Sequence, residues 1–235
     1  MARYARSGAR RGKYKGMALF GGILLMFAVI GVIATSIWSF NRVTDIVTDD
    51  TALRELDTLL EPVVMLDPEP FDSVDKIPNE VILESSVWAA TLSDRDGTKY
   101  KTDEAGRMLI PEAEVTAQAN RLFAAGTEFT LESFGSEEST VQYDEDAKTF
   151  HVPIMGLDAY TPYVTKLRKK RSVTIATVGY IPSGESWAQD KDGNLIPPIP
   201  SKYMIYELEG RRGSYRIMAV KEAPQEDLLT STPKK

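Results

Sequence analysis

Met17 to Phe40, MALFGGILLMFAVIGVIATSIWSF, contains no Asp, Glu, Lys or Arg. As a helix it would extend about 36 Å at about 1.5 Å per residue, enough to cross a hydrocarbon core of about 30 Å with some tilt. A helix is the one single segment that satisfies its own backbone groups in lipid, so residues 17–40 are expected to span a bilayer. The chain then divides into a basic tail, 1–16, a span, 17–40, and a large domain on the far side. The tail carries Arg3, Arg6, Arg10, Arg11, Lys13 and Lys15 and no acid. After the span come Arg42 and three acids, Asp45, Asp49 and Asp50. Positive flanks stay in the cytoplasm, which places the amino terminus inside and the domain outside. Trp38 and Phe40 fall where an aromatic belt would lie. The rival is a signal peptide cleaved around Ala34 to Ser36, but signal-peptide apolar regions are usually shorter, about 7 to 15 residues.

Charge narrows the functions open to the outer part. The whole chain is −6, and residues 17–235 carry 22 bases against 34 acids, a net −12. Nucleic acid needs a basic face, so it is an unsuitable partner. There is no cysteine, which removes thiol catalysis, thiolate metal sites and disulfides, and fits a bacterial rather than a eukaryotic exterior. The single histidine, His151, removes multi-histidine metal sites. No motif calls for a cofactor, and none is expected.

Local patterns give an element order. Ala52, Leu53, Leu56, Leu59 and Leu60 recur at helical spacing behind Asp49 or Asp50 as cap, and Glu61-Pro62 should stop that helix. With the stiff acidic stretch Asp67-Pro68-Glu69-Pro70 it reads as a juxtamembrane stalk and linker over 41–71. The compact domain is then 72–222, and 223–235 is a polar tail. Pro78 to Leu92 predicts a helix with Val81, Ile82, Ser85, Trp88, Ala89 and Leu92 on one stripe. Two short strands around Asp103-Glu104-Ala105-Gly106 precede a second helix, Glu112 to Ala125, with Val115, Ala119, Leu122 and Phe123 inward and Gly126 as its stop. From Glu128 the period becomes two: Phe129, Leu131 and Ser133, then Val141 and Tyr143 across a turn from Phe150, Val152 and Ile154. Two longer hairpins close the domain, the second turning at Glu209-Gly210-Arg211-Arg212-Gly213.

Helices followed by antiparallel strands is an α+β order, with the helices expected to pack on a curved sheet. The hairpins YVTKLRKKRSVTIATVGY and KYMIYELEGRRGSYRIMAV carry a resemblance, over residues 110–222, to the cystatin-like and nuclear-transport-factor-like cone domains. The whole layout resembles single-pass, membrane-anchored extracytoplasmic proteins of Gram-positive (clostridial) bacteria. It is also similar to scaffold subunits of conjugation and type IV secretion machines, with a short tail, one span and a cone. The resemblance implies a non-enzymatic module that binds other envelope proteins or itself. The alternative is a small-ligand-binding or hydrolytic domain using the cone's pocket.

Several residue clusters invite a chemical reading. Asp190 to Asn194 resembles the start of a calcium loop, but its twelfth position is Ser201 where a Glu is needed; for Asp94 to Gly97 that position is Ala105. His151 lies in an expected strand with only Ser133, Ser136 and Ser139 near in sequence, so a structural role is the simpler reading. The acids Asp67, Glu69, Asp72 and Asp75 read as solvated linker charge. Lys166, Arg168, Lys169, Lys170 and Arg171 form the one basic cluster outside. Either they meet an anionic partner, or they protect a sheet edge as a charged turn. Trp187 sits in a loop from Pro182 to Pro200, long for a connection without structure of its own. The expected partner surface combines that basic turn with Trp187.

Overall fold

The computed structural model describes residues 46–47, 49–136, 140–154, 160–191, 193 and 195–224. The expected tail and span, 1–40, and the last eleven residues, 225–235, lie outside them. Among the described residues no helix is long and apolar enough to cross a membrane. Among the described residues the fold is α+β: three α-helices, two larger antiparallel sheets and a two-stranded hairpin.

The first helix, α1 (Asp50–Val64), begins where expected. The Asp49 carboxylate accepts the Thr51 N–H at 3.1 Å, which satisfies one of the orphan donors of the first turn. It does not stop at Pro62, which lies inside its last turn. The missing N–H removes one ladder bond, but Val63 and Val64 beyond it are fully buried and hold the turn in place. Nor is the helix a stalk. Leu56, Leu60, Val63 and Val64 are 0–1 % exposed and belong to the main core. The chain from Asp45 onward forms one compact unit. The domain therefore starts before residue 50, not near 72.

The Pro-rich stretch is likewise tied down. Lys202 pairs with Asp67, and Phe71 exchanges two backbone hydrogen bonds with Val220, at 2.8 and 2.9 Å.

The main core lies against a five-stranded antiparallel sheet, ordered β1 (Ile46–Val47), β6 (Tyr160–Lys170), β7 (Val173–Pro182), β10 (Lys202–Glu209), β11 (Arg216–Glu222). The two expected hairpins supply its four long strands. Alternation puts Ala176, Val178 and Tyr180 of β7 and Met204, Tyr206 and Leu208 of β10 on the core face. Tyr180 and Tyr206 share a buried hydroxyl–hydroxyl bond of 2.6 Å, and burial pushes both phenols above their ordinary range. Bulges at Val164/Lys166 and Glu207/Leu208 interrupt the register. The first lets both Val164 and Leu167 face inward although they are three apart.

The second helix, α2 (Asn79–Leu92), is buried on most of its circumference rather than on one stripe. Ile82 and Ala89 join the main core. Leu83, Val87, Trp88 and Ala90 join a second cluster with Ile110, Val115, Val141, Phe150 and Val152. That cluster is backed by the small sheet, ordered β2 (Lys101–Thr102), β3 (Met108–Pro111), β5 (Thr149–Val152), β4 (Gln142–Asp144). Ser85 and Ser86, also buried, turn their hydroxyls back onto the Val81 and Ile82 carbonyls, so neither hydroxyl is left unpaired in the core.

The third helix, α3 (Glu112–Leu122), buries the expected Val115, Ala119 and Leu122, and Phe123 directly after it. It ends three residues early because Phe123 bridges to Ile217 and the Ala124 N–H donates to the Ile217 carbonyl.

One expected strand is absent: residues 127–133 form no ladder. The Asn79 side chain takes the place of a partner strand, accepting from the Thr130 N–H and donating to the Thr130 carbonyl. The loop between β7 and β10, in contrast, has structure: β8 (Ala188–Gln189) pairs with β9 (Leu195–Ile196).

Candidate functional site

The expected binding residues separate along β6 and β7. Lys166, Arg168, Lys169 and Lys170 occupy the second half of β6, and Arg171 opens the turn to β7 with a left-handed φ of 58°. Lys169, Lys170 and Arg171 are exposed; Lys166 and Arg168 are half-buried. Trp187 lies past the other end of β7, its ring edge-on to Tyr163 at 5.9 Å between centroids. The ladder from Lys170↔Val173 to Tyr160↔Pro182 covers roughly 30 Å at about 3.3 Å per residue. Trp187 meets β6 at Tyr163, three residues from Lys166 but seven, or roughly 23 Å, from Lys170, so the tip of the basic turn and Trp187 do not form one surface. The topology residues Arg3, Arg6, Arg10, Arg11, Lys13 and Lys15 lie outside the described residues.

Trp187 instead walls a cleft of about 740 Å³ between α1 and β6, with Tyr163, Arg54, Asp57, Glu61 and Arg95. Its floor solves a problem of sheet edges. Val164 is in register with Val178 of β7, but β1 reaches β6 only at Leu167 and Arg168, so on that side the backbone of Val164 has no strand partner. Asp57 accepts the Val164 N–H at 2.6 Å and Arg54 donates to the Val164 carbonyl at 2.8 Å. The two side chains also pair with each other. Pro162, two residues back, offers no N–H. The Arg54 guanidinium lies 4.1 Å from the centre of the Tyr163 ring. None of these residues was singled out from sequence. The signal was there: Arg54 and Asp57 are three apart on a helix, one face turned to whatever the helix packs on.

Burial pushes the Asp57 carboxyl up to about 7, against the pull of the Val164 N–H and the Arg54 charge. A carboxyl raised in the fold favours the folded state most below its unfolded value near 3.8, and that contribution is lost as pH rises to about 7. Asp57→Asn keeps the acceptor for Val164 and removes the titration. The unmodified domain should gain about 2 kcal/mol from this group between pH 7.5 and 5, and the variant should not, at 1.36 kcal/mol per pH unit. Urea midpoints at the two pH values measure it; identical pH dependence in both proteins would remove Asp57 as the source.

His151 is not solitary. Its Nδ1 lies 2.9 Å from the Asp103 carboxylate and 3.3 Å from Arg107 Nη2, and Arg107 Nε donates to Asp103 at 2.8 Å. The His151 contact first, then the Arg107 N–H and guanidinium, hold the Asp103 carboxyl well below its ordinary range. The group sits on the small sheet, where Gln142↔His151 and Leu109↔His151 are in register, and the cleft beside Trp187 does not reach it.

Asp94 holds three backbone N–H groups, those of Thr98, Lys99 and Tyr100. These bonds shape the turn, and the contacts depress its pKa. Among the described residues no group of three or more His, Asp or Glu is placed to hold a metal ion.

No protein-family model, curated protein or solved structure matches the chain.

Proposed function

We propose that the protein is a single-pass, membrane-anchored extracytoplasmic module. Its amino terminus is cytoplasmic, and it presents a cone-like domain for binding or assembly at the outer face. It acts non-enzymatically, as a scaffold subunit of an envelope complex of the conjugation or type IV secretion kind. Residues 17–40 support the anchor, and the two bulges, which bend strands, support a curved sheet wrapped on its helices.

The observation that carries the binding role is where the apolar surface lies. Of the four large hydrophobic side chains exposed among the described residues, Trp187 (38 %), Ile196 (44 %) and Ile199 (90 %) belong to the segment between β7 and β10, and the fourth, Ile154 (74 %), lies just past β5. A short hairpin that holds apolar side chains in water is an interaction surface in waiting, with a tryptophan of the kind that anchors interfaces.

The test takes the full chain from native membranes in mild detergent and measures the size of the species it forms. A complex larger than the monomer is expected, and Trp187→Ser with Ile199→Glu should disperse it while leaving the melting temperature within about 2 °C, since neither side chain is in the core. A monomer in the unmodified protein, or a complex indifferent to the pair, would overturn the reading. The alternative, a ligand-binding or hydrolytic domain, draws its support from the Asp103–His151 contact.

A further inference from the structure

One end of the main sheet is basic, and the amino-terminal end of β1 points to it. β1 runs antiparallel to β6 with Ile46↔Arg168 and Val47↔Leu167, so its amino-terminal end points toward Lys169, Lys170 and Arg171. β10 runs antiparallel to β7 with Glu209↔Val173, so the β10–β11 turn, with Arg211 and Arg212, lies at that same end. The two turns are centred about two strand spacings apart, roughly 10 Å.

The acids described at this rim are engaged. Arg212 binds Asp49 at 2.6 Å and Glu55 through two contacts, at 2.9 and 3.0 Å. Glu209 lies 4.0 Å from Arg216, and Asp50 3.6 Å from Arg54. Lys169, Lys170, Arg171 and Arg211 are exposed and enter none of the ion pairs among the described residues. Arg171 keeps its charge at the turn tip in a left-handed backbone conformation that glycine or asparagine adopts with less strain.

The apolar run ends at Phe40, six residues before Ile46. However those residues run, they bridge no more than roughly 20 Å at about 3.5 Å each. From these facts we infer that the rim formed by Lys169, Lys170, Arg171 and Arg211 is a membrane-facing surface that binds anionic lipid headgroups of the bilayer holding the chain's own span. The inference rests on the reading of 17–40 as that span. It gives the basic turn a partner different from that of Trp187, which packs on Tyr163 roughly 23 Å along β6 from Lys170. Each base near an anionic surface contributes about fivefold to the local equilibrium. Four on a tethered domain suffice to set its orientation, with the Trp187 hairpin presented outward.

The test uses the full chain in vesicles. The sequence has no cysteine, so Ser172→Cys at the turn tip, or Ser183→Cys at the opposite end as control, gives a single site for a fluorophore. Vesicles of phosphatidylcholine, with or without about one third phosphatidylglycerol, carry a headgroup quencher. Quenching at 172 should rise at least about threefold with the anionic lipid, and quenching at 183 should not. High salt should return the ratio to about one. So should Lys169→Gln, Lys170→Gln, Arg171→Gln and Arg211→Gln together, with an unchanged melting curve. If the chain resists carbonate extraction but the 172 signal ignores both anionic lipid and salt, the span stands and the lipid contact falls. If carbonate strips the chain from the vesicles, the span falls, and the lipid contact with it. If soluble polyphosphate is bound while vesicles are not, the occupant is a free polyanion and the lipid proposal is overturned.

Discussion

A polypeptide beginning at Asp72 should fail to fold, and one beginning at Asp45 should melt cooperatively. The first lacks α1 and Phe71. Leu56, Leu60, Val63 and Val64 are fully buried against the five-stranded sheet, and Phe71 is 5 % exposed. Truncating one buried leucine to alanine costs about 2 to 5 kcal/mol. Two such losses match the whole stability of an ordinary domain, about 5 to 15 kcal/mol. The deletion also strips Val164 of the Asp57 and Arg54 groups that satisfy its backbone, and leaves Arg212 without Asp49 and Glu55. Circular dichroism melts of 72–224 and 45–224 decide the matter. A cooperative transition in the shorter polypeptide, within a few degrees of the longer, would mean that α1 is an accessory after all.

That prediction reverses the boundary suggested by the sequence, and the reason is physical. The stripe Leu53, Leu56, Leu60 is visible as a helical period, but a period does not say what the stripe covers. Its partner, the inner face of β6 and its neighbours, is more than a hundred residues away, and the acidic prolines after it imitate a linker. The helices over 79–92 and 112–122 and the two long hairpins were legible because their burial follows from local period and turn chemistry. The pattern Phe129, Leu131, Ser133 was real, and Phe129 and Leu131 do pack against the core clusters. The backbone partner it found was the Asn79 amide, fifty-one residues away, which no strand pattern announces. Asp103 meets His151 across the small sheet for a similar reason: Asp103 read as turn punctuation, and the register that brings them together is non-local. The separation of the basic turn from Trp187, by contrast, was readable. A strand of ten residues lies between them, and an extended strand of that length sets its two ends roughly 30 Å apart.

Trp88→Ala should destabilise the domain by about 3 to 5 kcal/mol, as large-to-small changes in a packed core do. Trp88 is 5 % exposed and packs in the cluster under the small sheet with Ile110, Phe150 and Val152. Its helix is the element that touches both cores: Ile82 and Ala89 face the main sheet, Leu83, Val87 and Trp88 the small one. The loss should therefore be uneven. The small sheet is four short strands of two to four residues, and such a sheet depends on the face it covers. In the variant, amide exchange at Ile110, Phe150 and Val152 should accelerate more than at Val178 and Tyr206, because local opening takes the least-packed unit first. A chemical-denaturation loss below about 1 kcal/mol would mean that Trp88 covers little. A uniform acceleration across both sheets would mean that the two cores open as one, and that α2 couples them rigidly rather than serving as the seam between them.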